Sequence, residues 1–183
     1  MDSDLTLRVD GVEHRLTVDT RTSLLDALRQ RLGVQSAKKG CDHGQCGSCT
    51  VLVDGTRVLA CLTLAVTRDG SEVLTAAGLD GDAGGDVGGH TATDGHPVHR
   101  AFVDHDGFQC GYCTPGQVCS AVGVLDEVAR GWPSAVTDDL AGDPELDEAE
   151  IAERMSGNLC RCGAYVGIRA AVAQAAREQG VAR

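Results

Sequence analysis

The chain has 183 residues, 42% of them hydrophobic and 3% aromatic, which is enough for one large domain or two small ones with an aliphatic core. Its formal net charge of −11 argues against nucleic acid or an anionic membrane as a partner. The chain has nine cysteines. Its start shows no export signal and no twin arginine, and it has no apolar run of membrane-spanning length. We therefore expect the cysteines to bind metal in a reducing cytoplasm rather than to form disulfides.

Residues 1–77 have the pattern of a small domain built from hairpins and one helix. Alternating apolar and polar residues predict strands at 5–9, 12–18, 50–53 and 57–62, with a short last strand at 73–75. A helix is predicted at 21–32, capped by Thr22 or Ser23. Cys61 falls on the return strand of the second hairpin. The order of hairpin, helix, loop and hairpin is that of a β-grasp, ferredoxin-like domain.

The loop between the helix and the second hairpin starts the first candidate metal site. Its cysteines are separated by four, two and eleven residues, the plant-type ferredoxin spacing for a [2Fe-2S] cluster: Cys41, Cys46, Cys49 and Cys61. Zinc is a poorer match because only one short C-x2-C pair is present, and a Rieske centre would need a second nearby histidine. We expect the loop glycines to adopt positive φ and bring N–H groups to the sulfurs: Gly40, Gly44 and Gly47. Lys38 and Lys39 are expected to offset part of the negative charge.

The rest of the chain changes character. Residues 78–95 carry seven glycines and four aspartates without periodicity, which predicts a linker. Residues 96–183 show the periodicity of helices, expected at 97–106, 114–130, 145–155 and 165–179. Thr114 is expected to cap the second of these helices. Four short helices predict a compact bundle, so the predicted fold class is α+β, a β-grasp domain followed by a four-helix bundle.

The helical half carries a second set of cysteines at two predicted helix starts: Cys110, Cys113, Cys160 and Cys162. Free N–H groups and the dipole at a helix N-terminus favour thiolates and an anionic cluster. The spacing leaves zinc and [2Fe-2S] as equal alternatives, because C-x2-C with C-x-C supplies four sulfur ligands for either. Cys119 lies inside a predicted helix among apolar neighbours and is expected to be a buried free thiol.

Three motifs in order resemble the small iron–sulfur subunit of the molybdenum hydroxylases, the xanthine dehydrogenase and aldehyde oxidase family, over nearly the whole chain. They are GCDHGQCGSC at 40–49, QCGYCTPG at 109–116 and GNLCRCGAY at 157–165. The Asp-His-Gln residues of the first motif, and Gly-Ala after the C-x-C, are similar to the bacterial aldehyde-type subunits. Ser48 stands where alanine is commoner, and the linker is longer than usual, but neither departure removes a ligand. The resemblance favours [2Fe-2S] over zinc in the helical half.

The resemblance implies an electron relay with two [2Fe-2S] clusters. The helical-domain cysteines would bind the cluster nearest a molybdenum–pterin cofactor, and the ferredoxin-like cysteines the cluster nearer a flavin. Gln109 matches a family glutamine that contacts the pterin, although a local hydrogen bond within its own loop is an alternative role. The implied partners are a large molybdenum–pterin subunit and a medium FAD subunit, in a heterotrimer or a dimer of heterotrimers.

The sequence has no nucleophile–base pair, phosphate loop or dinucleotide fingerprint, so we expect no substrate site on this chain. By resemblance, the whole complex is an oxidoreductase that hydroxylates an aldehyde or N-heterocycle and sends electrons one at a time through this subunit. Two alternatives remain: a stand-alone two-cluster electron carrier, and a zinc-stapled interaction module in the second half.

Overall fold

The computed structural model describes residues 1–80 and 95–181, which form a mixed sheet followed by a helical bundle. This arrangement confirms the predicted α+β fold. The predicted linker at 78–95 lies almost wholly outside the described residues, and the domain boundaries drawn around it stay a prediction. No helix in the described ranges is long and apolar enough to cross a membrane.

The first half is a single five-stranded sheet. Its strands are β1 (Asp2–Val9), β2 (Val12–Asp19), β3 (Thr50–Val53), β4 (Thr56–Leu59) and β5 (Glu72–Leu74). They lie in the order β2-β1-β5-β3-β4, with β1 and β5 parallel and the other neighbours antiparallel. Both predicted Asp-Gly hairpin turns are present, because Asp10, Gly11, Asp54 and Gly55 have the positive φ that such turns require.

The first helix is shorter and less regular than predicted over 21–32. It covers only Leu24–Asp26 (α1) and continues as a π-helical turn, Ala27–Arg31. Ser23 caps it as predicted, accepting a hydrogen bond at 3.1 Å from the N–H three residues further on. The backbone of Ser23 is extended and bridges to Leu64, so the helix begins only after this residue.

Strand β4 ends at Leu59, so the prediction that Cys61 lies on this strand was wrong. The Ala60 N–H donates to the Cys49 carbonyl at 3.3 Å, and the Leu62 N–H donates to the Leu59 carbonyl at 3.0 Å. The first bond extends the pairing of β3 and β4, because Ala60 lies opposite Cys49 in the same register, and the second closes a turn that takes the chain out of the strand. Cys61 therefore lies in a turn just after β4, facing the loop that carries the other three cysteines.

Four helices form the second half: α2 (Pro97–Asp104), α3 (Thr114–Ala129), α4 (Glu148–Met155) and α5 (Tyr165–Glu178). Helix α3 is central, since it contacts the other three helices and also β3 and β4. The apolar face predicted for it is buried, together with most of its other residues. Helix α4 starts later than predicted because Asp147 caps it, accepting a hydrogen bond from the Glu150 N–H at 2.8 Å.

Thr114 does not cap α3, contrary to the prediction. It is the first helical residue, and Cys113 occupies the N-cap position without a side-chain capping bond. The Gln117 N–H donates to the Cys113 carbonyl at 3.0 Å, so the first helical turn begins one residue earlier than expected.

The sheet and the helical bundle share a core. Leu52 of β3 is 4% exposed and belongs to the same buried cluster as Val122 and Leu125 of α3. On the same side, Arg57 of β4 makes a bidentate ion pair with Glu127 of α3, with nitrogen–oxygen distances of 2.6 and 2.9 Å. The two halves therefore meet along one face of α3, and this contact positions the two cysteine loops beside each other.

Candidate metal centres

The four cysteines predicted as ligands in the first half come together as two contacting pairs. The sulfurs of Cys41 and Cys46 are in hydrogen-bonding contact, and so are those of Cys49 and Cys61. All four are free thiols; Cys49 is buried and the others are half-buried. Such an arrangement can bind one metal atom with each pair.

Backbone groups of the loop stabilise the thiolate of Cys41. The His43 N–H, supported by the Gln45 N–H at 3.3 Å from the sulfur, lowers the pKa of Cys41 to about 6. Burial raises the pKa of Cys49 to about 12. One sulfur is therefore ready to bind a cation near neutral pH, whereas Cys49 ionises only when a bound cation compensates its charge.

The loop glycines serve two different geometric needs. Gly44 and Gly47 have positive φ, as predicted. Gly40 does not; what it supplies is space, because a Cβ there would lie 2.7 Å from the Cys46 sulfur. The prediction that all three glycines have positive φ was therefore wrong for Gly40.

The two lysines beside the loop have partners other than the cysteines. Lys39 Nζ lies 2.7 Å from the Asp26 carboxylate and 3.0 Å from that of Asp42. Lys38 Nζ donates to the Gln35 carbonyl at 2.7 Å. The loop N–H groups hydrogen-bond the sulfurs, as the Gln45 N–H does that of Cys41, whereas both lysine ammonium groups contact oxygen atoms; the expected offset of charge by the lysines stays a prediction.

The helical half brings its four predicted ligands together in the same way. The Cys113 and Cys160 sulfurs are in contact, and Cys110 and Cys162 form the second pair. Cys160 is buried, whereas Cys110 and Cys162 are exposed. The site therefore has an inner pair that faces the protein and an outer pair that faces solvent in this chain.

Each cysteine loop of this half leads into a helix, and N–H groups near the helix start reach the sulfurs. The Tyr112 N–H lowers the pKa of Cys110. Burial raises the pKa of Cys113 to about 11. Burial also opposes ionisation of Cys160, but the Ala164 N–H, 3.4 Å from its sulfur, contributes to a pKa below the ordinary value.

Both sites fit a two-iron cluster better than a single zinc ion. A [2Fe-2S] cluster takes two thiolates on each iron, which matches two contacting pairs of cysteines. Zinc takes four ligands that converge on one point.

Comparison with known proteins finds an iron–sulfur domain in each half. A family model described as a 2Fe-2S iron-sulfur cluster binding domain matches residues 7–75, and one described as a [2Fe-2S] binding domain matches residues 86–173. The chain is 56% identical over 174 residues to the aldehyde oxidoreductase iron-sulfur-binding subunit PaoA of Escherichia coli O157:H7, covering 95% of this chain and 72% of that protein. It is 35% identical to the nicotinate dehydrogenase small FeS subunit of Eubacterium barkeri, covering 92% of this chain and 91% of that protein.

Solved structures lead to the same family. The fold matches a chain of quinoline 2-oxidoreductase from Pseudomonas putida 86 with a TM-score of 0.75 and 30% identity, covering 98% of this chain and 96% of that one. The chain belongs to the iron–sulfur subunits of the molybdenum hydroxylases. The resemblance inferred from its three motifs is thereby confirmed, and the [2Fe-2S] description of the second domain favours iron–sulfur over zinc there.

Gln109 lies at the outer edge of the helical site of this iron–sulfur subunit. It is exposed, and both roles suggested for it, a contact with the pterin and a bond within its own loop, stay predictions. Exposed large hydrophobic side chains lie within the second and third cysteine motifs or directly beside them in sequence: Phe108, Tyr112, Leu159, Tyr165 and Val166. Cys119, by contrast, is only 1% exposed, and burial raises its pKa to about 12, as expected of a buried thiol.

The cysteine loops of the two halves touch, which was not predicted. The Leu159 N–H donates to the Cys46 carbonyl at 2.9 Å, and the Tyr112 hydroxyl donates to the Lys39 carbonyl at 2.8 Å. Gly116 of α3 packs so closely on the first loop that a Cβ there would lie 2.5 Å from the Gly47 carbonyl oxygen. The glycines and the Gly-Asn-Leu of the third motif were visible in the sequence, but no local pattern identifies what they contact.

Proposed function

We propose that this iron–sulfur subunit passes electrons from a molybdenum–pterin subunit to an FAD subunit through two [2Fe-2S] clusters. The proposed ligands are Cys110, Cys113, Cys160 and Cys162 for the first cluster and Cys41, Cys46, Cys49 and Cys61 for the second. Each cluster carries one electron at a time, and the protein sets its potential through hydrogen bonds to sulfur and burial. The oxidation of an aldehyde or N-heterocycle takes place on the molybdenum subunit.

The observation that carries the proposal is the contact between the two cysteine loops. The Leu159 N–H, adjacent in sequence to Cys160, donates to the carbonyl of Cys46. A residue beside a ligand of one cluster is thus hydrogen-bonded to a ligand of the other. Two independent metal staples would not need this contact, whereas electron transfer between two centres depends on their being close.

The exposure of the cysteines supports the direction of transfer. An anionic cluster needs shielding from water, yet Cys110 and Cys162 are exposed in this chain, so a partner subunit would cover them. The exposed side chain of Gln109 lies beside this outer pair and would contact the pterin there. The inner pair, Cys113 and Cys160, lies toward the protein interior, and Leu159 beside Cys160 hydrogen-bonds the first cysteine loop, so this pair would pass the electron on.

Partner subunits are supported by the relatives, which include an iron-sulfur-binding subunit of an aldehyde oxidoreductase and a small FeS subunit of a nicotinate dehydrogenase. These names favour a subunit over a stand-alone carrier. The heterotrimer or dimer of heterotrimers, the FAD subunit and the division at residues 78–95 belong to the proposal. The cytoplasmic location stays a prediction from the sequence.

Metal analysis with two cysteine variants tests the ligand assignment. The wild-type chain should contain about four irons and no zinc, and two cluster signals in electron paramagnetic resonance (EPR). Cys113→Ser should lose the helical-domain signal and retain the ferredoxin-like one. Cys119→Ser is the matched control, because its buried thiol is not a proposed ligand and both signals should remain.

Two results would contradict the proposal. About two irons with one zinc per wild-type chain would indicate a zinc-stapled second half. A chain isolated from its native cells without partner subunits, yet active in shuttling electrons between soluble carriers, would indicate a stand-alone carrier.

A further inference from the structure

Asn158 lies in the contact between the two cysteine loops and is only 5% exposed. Its Nδ2 donates to the Gly47 carbonyl at 3.0 Å and to the Gly116 carbonyl at 3.2 Å. Its Oδ1 accepts a hydrogen bond from the Ser120 hydroxyl at 2.6 Å. One side chain therefore binds the ferredoxin-like loop on one side and the start of α3 on the other.

Gln117 extends this connection to a proposed ligand. It is 1% exposed, its Nε2 donates to the Asn158 carbonyl at 2.9 Å, and its side chain also hydrogen-bonds the Cys113 sulfur. A continuous set of contacts thus runs from Cys113 through Gln117 and Asn158 to Gly47, which lies between Cys46 and Cys49 in the first loop.

The packing around Asn158 leaves no space for another arrangement. A Cβ on Gly47 would lie 2.4 Å from the Gly157 carbonyl oxygen and 2.7 Å from Asn158 Nδ2. A Cβ on Gly116 would contact Gly47 and Ser48 just as closely. The backbones therefore approach as near as glycine permits. The asparagine amide donates to the Gly116 carbonyl and also to the Gly47 carbonyl, which accepts from the Thr50 N–H and hydroxyl as well.

We propose that Asn158 is a positioning residue that fixes the separation of the two clusters and so controls electron exchange between them. This inference rests on the proposed function. Removing the amide breaks the hydrogen bonds from Asn158 to the Gly47 and Gly116 carbonyls. The Gly47 carbonyl keeps the bonds from the Thr50 N–H and hydroxyl, but the side-chain link between the two loops is lost, and the loops are then free to separate. Electron exchange and magnetic coupling between two centres both weaken as their separation grows, so both report on this residue.

The test uses the full chain with both clusters, comparing wild type with Asn158→Ala and Asn158→Asp. Asn158→Asp keeps an oxygen for Ser120 but places a second oxygen against the carbonyls of Gly47 and Gly116. The readout is the spin–spin coupling between the two reduced clusters in EPR, with iron content and melting temperature measured on the same samples. Both variants are expected to keep the wild-type iron content and to lose most of the coupling.

Glu127→Gln is the matched control. It weakens the Arg57 ion pair, which crosses the same contact between halves but joins Arg57 to Glu127 and the Arg154 carbonyl rather than to a residue of the cysteine loops. It should lower the melting temperature and leave the coupling intact. Equal loss of coupling in this control, or unchanged coupling in the Asn158 variants, would overturn the inference.

Two further measurements distinguish a failure of the Asn158 inference from loss of a cluster or failure of the proposed function. If Asn158→Ala loses iron, the coupling is measured in Ser120→Ala instead. This change removes only the hydrogen bond that orients the Asn158 amide. Unchanged coupling in Ser120→Ala with full iron content would then overturn the inference. The iron count of the wild type is established first, because a chain without two clusters contradicts the proposed function rather than the role of Asn158.

Discussion

At the residue scale, Gly40 shows how tightly the first site is built. Its missing side chain leaves the room that the Cys46 sulfur occupies, and a methyl group there would approach this sulfur to 2.7 Å and the Ser48 hydroxyl to 3.3 Å. Its backbone has ordinary φ, so conformational freedom is not what the position requires. The sequence pattern identified the need for glycine but assigned it the wrong physical reason.

Gly40→Ala should therefore displace Cys46 and empty the ferredoxin-like site. We expect loss of about half of the iron and of one EPR signal, with the helical-domain signal retained. Iron analysis and EPR on the purified chain measure both.

Gly157→Ala is the control for this substitution. Gly157 lies in the third motif, has no positive φ, and has no atom within 4 Å of the position of an added Cβ. It should keep its full iron content. A Gly40→Ala chain with the same iron content as Gly157→Ala would contradict the steric argument.

At the element scale, α4 is fixed by a buried ion pair. Arg154 Nε donates to the Glu150 carboxylate at 2.8 Å, with side chains only 3% and 6% exposed. Arg154 also donates to the Trp132 carbonyl at 2.6 Å, and Thr137 hydrogen-bonds Glu150. Helix α4 is thereby tied to the loop that follows α3. Removing the Glu150 charge would leave buried Arg154 with the Glu127 carboxylate, 3.6 Å from its Nη1, as its remaining ion-pair partner.

Glu150→Gln should lower the free energy of unfolding by about 2 kcal/mol near neutral pH, measured by urea denaturation, because Glu127 still compensates part of the Arg154 charge. Burial works against ionisation of Glu150, but hydrogen bonds from Thr137 and Ser134 and the Arg154 guanidinium hold its pKa below the ordinary 4.5. A carboxyl with a lowered folded-state pKa stabilises the protein above its unfolded pKa, and this stabilisation is lost as pH falls through the folded value. The difference between wild type and variant should therefore shrink below pH 4.5.

Glu148→Gln on the same helix is the control for this effect. Glu148 pairs with Arg169 at the surface, where the side chains are 78% and 36% exposed. An exposed pair of this kind contributes less than about 1 kcal/mol. If both substitutions cost the same, or if the cost of Glu150→Gln did not depend on pH, the buried pair would not be what anchors α4.

The elements that the sequence predicted well are those that local chemistry determines. The Asp54-Gly55 turn, the Ser23 cap and the start of α2 at Pro97 depend on neighbouring residues. The turn that holds Cys61 was missed because the apolar residues continue from 58 to 62, whereas the bond from the Leu62 N–H to the Leu59 carbonyl already turns the chain. The cysteine sets were found because cluster ligation leaves a spacing in the sequence.

At the scale of the whole molecule, the two halves form one structural unit around α3. Leu52 of the sheet shares the buried cluster of the helical half, and Asn158 hydrogen-bonds Gly47 across 111 positions of sequence. Periodicity and motifs describe each half but carry no information about such long-range contacts. For this reason two domains could be predicted, whereas the contact that would make them a relay could not.

Gly116→Ala tests whether this contact holds the halves together. The new methyl group would lie 2.5 Å from the Gly47 carbonyl oxygen and 3.0 Å from the Ser48 backbone, and neither backbone can move without opening the contact. We expect a loss of about 1–3 kcal/mol in stability, as for other overpacked sites. Backbone amide exchange near Gly47 and Asn158 should accelerate in hydrogen-exchange mass spectrometry, and unfolding should separate into two transitions. Gly123→Ala on the same helix is the comparison, because the atoms nearest its methyl group would be Cβ, Cγ and Cδ of Arg57 at 3.1–3.2 Å, rather than the backbone of the first cysteine loop. Gly123→Ala should keep a single transition; a single transition and unchanged exchange in Gly116→Ala as well would show that the shared core around Leu52, rather than the glycine contact, joins the two halves.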